Sequence, residues 1–536
     1  MKVVSVEKMR QIESSVDATL FSYDQMMLKA GGAAGRQLRR RVDIDDGTRV
    51  TFLIGKGNNG GDGLVMAVDM ARHSPAQIRI YLLQPRPEND DVFRRALEAG
   101  LFVANASDDH DLRLLKSLVT SADVIVDAIF GIGLRLPLRG VASKVLRAVN
   151  LMMNRSKSSR AAGAQTSDAH EKSVRPFVFA LDCPSGVDCD TGEADTNTLL
   201  ADATITFIAA KPGLFTFPAA RYVGDLIISP LDIPESFPAL NAISKSVMVK
   251  DKARSILPPR PLDGHKGSFG KLMVVAGSPN YIGALALSAE AAYRAGTGLV
   301  TVATTGDLVR TVAGRLREPT YLALPDTDGA INEAAVHPIV EHSRGYDALL
   351  LGCGLGRHPS TKAFVEKLLD ATVLPSLVVD ADALNILSEI PYWWKKLPAQ
   401  TIITPHAGEM ARLRKSSPAK VNASRWELAA GAAADWNLVV VLKGAHTLIA
   451  DPTGMVSVIP FKTDALGTAG TGDVLAGVIA GLRAQGAAAF DSAGLGAYAH
   501  ALAGTIAVDR VGSSRSVIAG DVLEALGWAF NQIEAT

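Results

Sequence analysis

The chain has 536 residues, 48% of them hydrophobic and 21% charged, with 48 glycines and 26 prolines. At roughly 150 residues per domain there is room for three or four domains or two large ones, and the apolar mass excludes wholesale disorder and collagen-like structure. Lys plus Arg and Asp plus Glu number 55 each, so the chain lacks the overall basic excess of a nucleic-acid binder.

Cys183, Cys189 and Cys353 cannot form a disulfide framework and lack zinc-site spacing, so a reducing, cytoplasmic setting is expected. The opening MKVVSVEKMRQIESS has no apolar signal-peptide core. Apolar stretches such as VLAGVIAGL at 474–482 fall far short of the roughly 18 residues that span a bilayer, so no membrane association is expected.

Two α/β arrays follow one another. The first opens with a helical stretch around 5–40. Strand-like apolar runs follow at 49–55, 78–83, 123–130 and 177–182, with helix-like segments such as 61–72 and 91–99 between them. This alternation predicts right-handed βαβ units and a mostly parallel sheet. Residues 154–173 are polar and aperiodic and read as a flexible insertion. The pattern weakens after 226–234, and a domain seam is expected near 240, giving domains 1–240 and 241–536. The second array has strand-like runs at 271–278, 299–305, 348–354, 376–384, 401–406, 438–444 and 456–460, and helical patterns at 473–484 and 491–508.

In the first array, GKGNNGGDG (55–63) follows a strand and opens a helix. Its glycines are expected to turn with positive φ and let backbone N–H groups approach an anion at the helix start. The spacing is not GxGxxG, so an ordinary NAD fingerprint is excluded. Asp127 and Asp182 close two further strands, and Ser185 follows Pro184, which would stiffen its loop. Strand carboxyl ends form the ligand crevice of a parallel sheet. Singly each acid suits a turn or cap. Together the three loops suggest a site with oxygen ligands for a hard cation and a carboxylate left over to move a proton.

In combination, GKGNNGGDG, DAIFGIGLRLPLRG and LDCPSGVD resemble the NAD(P)H-hydrate epimerase domain, the YjeF N-terminal family, over most of 1–240. The resemblance implies a Rossmann-like three-layer domain. It would interconvert the R and S epimers of NADHX and NADPHX, the forms hydrated at C6 of the nicotinamide ring. It further implies that Asn58, Asn59, Gly60, Gly61 and Asp62, with Gly131, Ile132, Gly133, Leu134, Arg135, Leu136 and Pro137, hold the dinucleotide. Asn59, Asp127 and Ser185 would bind potassium, and Asp182 would contact the substrate as acid and base.

In the second array, GTAGTGD (467–473) precedes a helical run. Asp473 there can be a helix N-cap or a base beside a phosphate-cradling loop. No GxxxxGK[ST] occurs, so this is not a P-loop enzyme. Lys443 ends the run VVVL, which puts its ammonium at the crevice. Asp380 and Asp382 suit a metal or a loop cap equally, and Cys353 reads as a packing residue.

The AGTGD loop resembles that of the ribokinase-like superfamily. HKGSFG, AGSPNYIGA, GCGLG, DADALN, TPHAGE, LKGAHT and AGTGD, in that order, resemble the ADP/ATP-dependent NAD(P)H-hydrate dehydratase domain over roughly 245–530. This implies a ribokinase-like three-layer α/β/α domain in which Ala284, Gly354 or Gly356, His406 and Asp473 contact the hydrate. Lys443, Gly444, Ala445, His446, Thr447 and Gly472 would hold the nucleotide, with magnesium on its phosphates. Asp473 would take the hydroxyl proton. The fusion of the two domains implies ADP as donor, giving AMP and phosphate, and relatives of this kind assemble as homo-oligomers.

The resulting expectation is a bifunctional metabolite-repair enzyme acting on small molecules, not on nucleic acid. The competing readings are a true small-molecule kinase with a regulatory N-terminal domain and, for the first domain alone, an interaction module of the kind found in mRNA-decapping enhancers.

Overall fold

The centre of each sheet is built from residues that cannot face water. The structure, a computed structural model, describes residues 1–87, 89–158, 175–371 and 373–535. They form two units, Met1–Ile243 and Ser244–Thr536.

In the first unit, β1 (Arg49–Ile54), β2 (Gln77–Leu82), β3 (Phe102–Asn105), β4 (Val124–Ala128), β5 (Phe177–Leu181), β6 (Ala203–Phe207) and β7 (Asp225–Ser229) form one seven-stranded sheet. Its order is β3-β2-β1-β4-β5-β6-β7, and every pairing is parallel. Val50, Phe52 and Ile54 pack to one face with Val124 and Val126, and Leu53 and Ile125 pack to the other. Strands buried on both faces read as continuous apolar runs, as parallel sheets require. The doubly wound order reverses between β1 and β4, and a ligand crevice opens at such a switch point.

The stretch 5–40 is two helices, Val6–Thr19 and Tyr23–Arg39, divided at Ser22. The Ser22 hydroxyl accepts from Gln25 N at 3.3 Å and the Gln25 side chain accepts from Ser22 N at 3.0 Å, a capping box that starts a new helix. The helix Gly140–Ser158 takes in the first five residues of the expected insertion. The remainder of that insertion, 159–173, lies outside the described residues.

One expectation needs correcting. None of Gly55, Gly57, Gly60, Gly61 and Gly63 has positive φ. Glycine is needed there for close approach instead. A Cβ on Gly60 would lie 2.0 Å from the Gly55 carbonyl oxygen, and one on Gly63 would lie 2.6 Å from the Ala128 Cβ. The helix Asn58–His73 is thereby pressed against β1 and β4.

The second unit carries β8 (Lys245–Val247), β9 (Lys271–Val275), β10 (Leu299–Thr305) and β11 (Thr320–Leu324), then a small hairpin of β12 (Asp326–Thr327) and β13 (Ala330–Ile331). β14 (Ala348–Leu351), β15 (Ser376–Val379), β16 (Ile402–Ile403), β17 (Val439–Leu442), β18 (Leu448–Ala450) and β19 (Val456–Val458) follow. The ten-stranded sheet runs β11-β10-β9-β14-β15-β16-β17-β18-β19-β8. It is parallel except for β18, which lies antiparallel to both neighbours. The helix Thr471–Ala484 is buried along almost its whole length. It packs on the helix Ile282–Arg294 so closely that a Cβ on Gly477 would lie 2.2 Å from the Ser288 carbonyl oxygen, and one on Gly481 would lie 2.9 Å from that of Ala292. Among the described residues no helix is long and apolar enough to cross a membrane.

Replacing Gly60 by Ala forces a backbone shift where the neighbouring atom is itself backbone. A loss of about 1–3 kcal/mol is expected in urea denaturation of the first unit, whereas Gly57→Ala, with open space around it, should cost well under half of that.

Candidate active sites

The first site lies where the doubly wound order predicts it. A cavity of about 870 Å³ is lined by Asn58, Asn59 and Asp62 from the helix Asn58–His73, by Gly131, Ile132, Gly133 and Leu134 after β4, and by Asp182 after β5. Arg135, Leu136 and Pro137 line a neighbouring cavity of about 520 Å³ that Gly133 and Leu134 also border. Gly61 borders a further cavity of about 410 Å³ beside Asn58, and Gly60 is tucked against Gly55.

Asp182 has φ of 61°, an uncommon value for a residue with a side chain. Its Oδ2 accepts from Ile132 N at 3.2 Å and its Oδ1 accepts from Lys211 Nζ at 2.7 Å. Lys211, 1% exposed, also donates to Thr206 Oγ1 at 2.8 Å. Burial alone would lower its pKa, but the Asp182 carboxylate and nearby thiols outweigh this and raise it, so it remains an ammonium. Glu13 enters the same cavity from the helix Val6–Thr19. Burial and the Asp182 charge push the Glu13 carboxyl up, and burial with the charges of Asp182 and Glu13 pushes Asp62 well up.

Asp127 and Ser185 lie fully buried beneath this cavity. Ser185 Oγ donates to Asp127 Oδ1 at 2.6 Å and Ser185 N donates to Oδ2 at 2.8 Å. Burial raises the Asp127 pKa in spite of these bonds. Asn59 Nδ2 donates to the carbonyls of Phe130 at 2.9 Å and Leu181 at 3.1 Å. Two carbonyl acceptors fix which way the amide points. Among the described residues, the Oδ1 left over is buried without a hydrogen-bond partner. An orphaned amide oxygen on the loops that carry a carboxylate and a hydroxyl fits a hard cation bound through oxygen.

In the second unit Asp473 is not the helix cap, because that position falls to Gly470 with φ of 90°. Asp473 sits in the first turn, where burial and then the Asp380 charge push it up to about 6. Ligand atoms of Cys353, Asp380 and Asp473 lie within 4.8 Å of one another. Burial holds the Cys353 thiol well up, which makes it a poor nucleophile. Asp380 Oδ1 accepts from Lys443 Nζ and from Thr404 Oγ1, each at 2.7 Å. Asp382 accepts from Gly356 N at 2.9 Å and begins the helix Asp382–Leu387, which is the loop-bracing role.

Gly352, Gly354 and Gly356 all have positive φ. A Cβ on Gly354 would lie 2.9 Å from the Ala284 Cβ, and one on Gly356 would lie 3.3 Å from Ser278 Oγ. The structure thus brings Ala284 and Gly354 together beside Cys353. His406 caps the helix Ala407–Leu413, its Nδ1 accepting from Gly408 N at 2.9 Å and Glu409 N at 3.2 Å. In the neutral ring the proton is therefore on Nε2. Burial, then Lys443, lowers the His406 pKa, and burial pushes Glu409 behind it up to about 7.

A cavity of about 400 Å³ is lined by Lys443, Gly444, Ala445, Thr447 and Gly472, together with Phe461 and Leu466. His446 is not among its lining residues. Its ring is buried, bonded to the Ile459 carbonyl at 2.9 Å, and lowered to about 4 by burial. Its alternation along the loop turns it inward while Ala445 and Thr447 border the cavity.

Several residues of these sites were not foreseen. Glu13, Thr206 and Lys211 carry no motif of their own, although a lysine in the apolar run IAAKPGLF (208–215) is a signal that could have been read. Arg425 was also missed. Its guanidinium donates to the carbonyls of Leu442 at 3.0 Å and His446 at 3.2 Å and so braces the loop after β17. Burial lowers it to about 10.

A family model described as NAD(P)H-hydrate dehydratase matches residues 272–526, and one described as YjeF-related protein N-terminus matches residues 23–213. The bifunctional NAD(P)H-hydrate repair enzyme Nnr of Moorella thermoacetica is 36% identical over 495 residues, covering 91% of this chain and 88% of its own. The enzyme of the same description from Escherichia coli is 30% identical over 506 residues, covering 94% and 88%. Among solved structures, the ADP/ATP-dependent NAD(P)H-hydrate dehydratase of Bacillus subtilis co-crystallised with ATP/Mg2+ is 28% identical, with a TM-score of 0.48 over 54% of this chain and 99% of that one.

The raised Asp473 carboxyl has a consequence for stability. A group whose pKa is higher folded than unfolded stabilises below its unfolded value and loses that contribution as pH rises through the folded one. The loss here is on the order of 2 kcal/mol between about pH 4 and pH 7. Asp473→Asn should therefore melt above the wild type at about pH 8 and level with it at about pH 4, read by calorimetry.

Proposed function

Since the chain belongs to the family of bifunctional NAD(P)H-hydrate repair enzymes, we propose that its first unit epimerises NADHX and NADPHX and that its second dehydrates the S epimer at the expense of ADP. The kinase and interaction-module readings have nothing to favour them, since curated relatives that match both halves are repair enzymes. The reading is carried by one observation above all: a lysine–aspartate pair with one partner buried and the other half-buried stands in each unit, Lys211–Asp182 and Lys443–Asp380, beside a glycine-lined loop.

In the first unit the dinucleotide rests on Asn58 to Asp62 and Gly131 to Pro137. The C6 hydroxyl is adjacent to the ring nitrogen. The nitrogen lone pair forms N1=C6 as the C6–O bond breaks, and the departing hydroxide takes a proton and leaves as water. Water then adds to the other face of C6, loses a proton, and the electron pair returns to nitrogen. Asp182, on the cavity wall, is the proton-handling carboxylate. Asn59, Asp127 and Ser185 would hold a potassium ion, which supplies positive charge beneath the dinucleotide loops.

In the second unit Asp473 accepts the C6 hydroxyl proton as the hydroxyl oxygen attacks the terminal phosphoryl group of ADP, and AMP departs. The ring nitrogen then expels phosphate from C6, and loss of a C5 proton restores NADH or NADPH. Lys443, Gly444, Ala445, Thr447 and Gly472 hold the nucleotide, while Ala284, Gly354 and His406 hold the hydrate. Magnesium would neutralise the nucleotide phosphates, with Asp380 and Asp473 as the nearby carboxylates. The protein works as a cytoplasmic homo-oligomer.

Racemic NADHX is to be incubated with ADP, and separately with ATP, with and without potassium, and return of NADH followed by absorbance. Complete conversion with ADP supports both activities, and a stall near half leaves the first unit without its role. Asp182→Asn should stall the reaction near half, and Asp473→Asn should abolish NADH return by at least about 100-fold. Ser185→Ala should remove the potassium dependence.

A further inference from the structure

The geometry points to Lys211 as the positioning residue of the epimerase site: it clamps Asp182 through Oδ1, so that Oδ2, the oxygen facing the Gly131–Ile132 turn, is the one that exchanges protons with the substrate. This rests on the epimerase reading of the first unit and assigns Lys211 a task that the reaction steps of that reading leave open.

The two oxygens of Asp182 stand in different surroundings. Oδ1 meets Lys211 Nζ at 2.7 Å and Thr206 Oγ1 at 3.3 Å. Among the described residues, Oδ2 accepts only from the backbone Ile132 N, at 3.2 Å, and a Cβ on Gly131 would lie 2.8 Å from it. Gly131 and Ile132 line the 870 Å³ cavity, so Oδ2 lies against the loop on which the dinucleotide rests. Lys211 is in turn fixed by Thr206 at 2.8 Å. Thr206 is on β6 and Lys211 follows it by five residues, so the clamp is held by the sheet itself. An ammonium removed from water is costly unless paired and hydrogen-bonded, and both conditions are met here.

The other charged groups around Asp182 do not duplicate the clamp. Glu13 and Asp62 are like-charged neighbours, Arg10, Lys56 and Tyr23 line the outer cavity, and the Cys183 and Cys189 thiols are buried. Lys211 is the cation in contact with Asp182 and fixes which way its carboxylate faces. Without it the carboxylate would turn freely.

The test uses full-length protein without ADP, a single epimer of NADHX as the starting material and a chromatographic separation of the two epimers over time. Lys211→Met, which keeps the stem and removes the charge, should lower kcat for epimerisation about 100-fold and leave KM within about twofold. Thr206→Val, which loosens the lysine while keeping its charge, should lower kcat about tenfold at unchanged KM. A Lys211→Met protein with wild-type kcat overturns the inference. Should Lys211→Met not fold, Thr206→Val decides: an unchanged kcat overturns it and a lowered kcat at constant KM supports it. If wild type itself fails to interconvert the epimers, the epimerase reading falls, which is a different result from a working enzyme indifferent to Lys211.

Discussion

Each unit seats a lysine 2.7 Å from an aspartate oxygen, with Lys211 fully buried in the first and Asp380 in the second. Such a pair is weak evidence of stability, because desolvation of the two charges offsets much of their attraction. It is strong evidence of organisation. A hydroxyl at the end of a sheet strand braces each pair, Thr206 by accepting from Lys211 in one unit and Thr404 by donating to Asp380 in the other. The sheet fixes the threonine, and the threonine fixes the lysine in the first unit and the aspartate in the second. The remaining acids are pushed up by burial first and then by these aspartate charges, Asp62 and Glu13 around Asp182, and Glu409 and Asp473 around Asp380.

The position of both sites follows from connectivity. Parallel strands deliver all their loops of one kind to the same edge, so residues distant in sequence, such as Asn59, Asp127 and Asp182, meet without special contrivance. In the first unit the order reverses between β1 and β4, and the glycine-rich turn after β1 and the loop after β4 share a cavity there. In the second, the loops after β14, β15, β16 and β17 carry Gly354, Asp380, His406 and Lys443, while Ala284 and Asp473 arrive on helices.

The sequence was legible where a run was long and apolar or a loop rich in glycine. β1, β4, β5, β9, β10 and β17 could be read because central strands are apolar on both faces. β3 and β8 are half-exposed edge strands, β18 has three residues, and β6, ATITF, interleaves threonines with its apolar residues, so none stood out as an apolar run. The α/β class, the repair-enzyme family and the loops around both cavities came from motifs. The reason for the glycines after β1 did not, since it depends on the distance to Ile129 and Ala128 across the switch point. Glu13 was invisible as chemistry because a glutamate in an amphipathic helix reads as solvated, and the apolar run around Lys211 signals burial without naming its partner, which only the fold supplies. His446 was read with its neighbours from the loop motif, which is blind to the direction of each side chain.

The close seating of Gly477 and Gly481 on the backbone of the Ile282–Arg294 helix has a mechanical meaning. Two helices in main-chain contact have no side-chain layer between them that can shear or repack, so the rod bearing Asp473 is locked to the rod bearing Ala284. Any opening that admits substrate or releases AMP must come from the flanking loops, while the floor stays put. The amides of these two rods should then be among the last in the protein to trade hydrogen for deuterium.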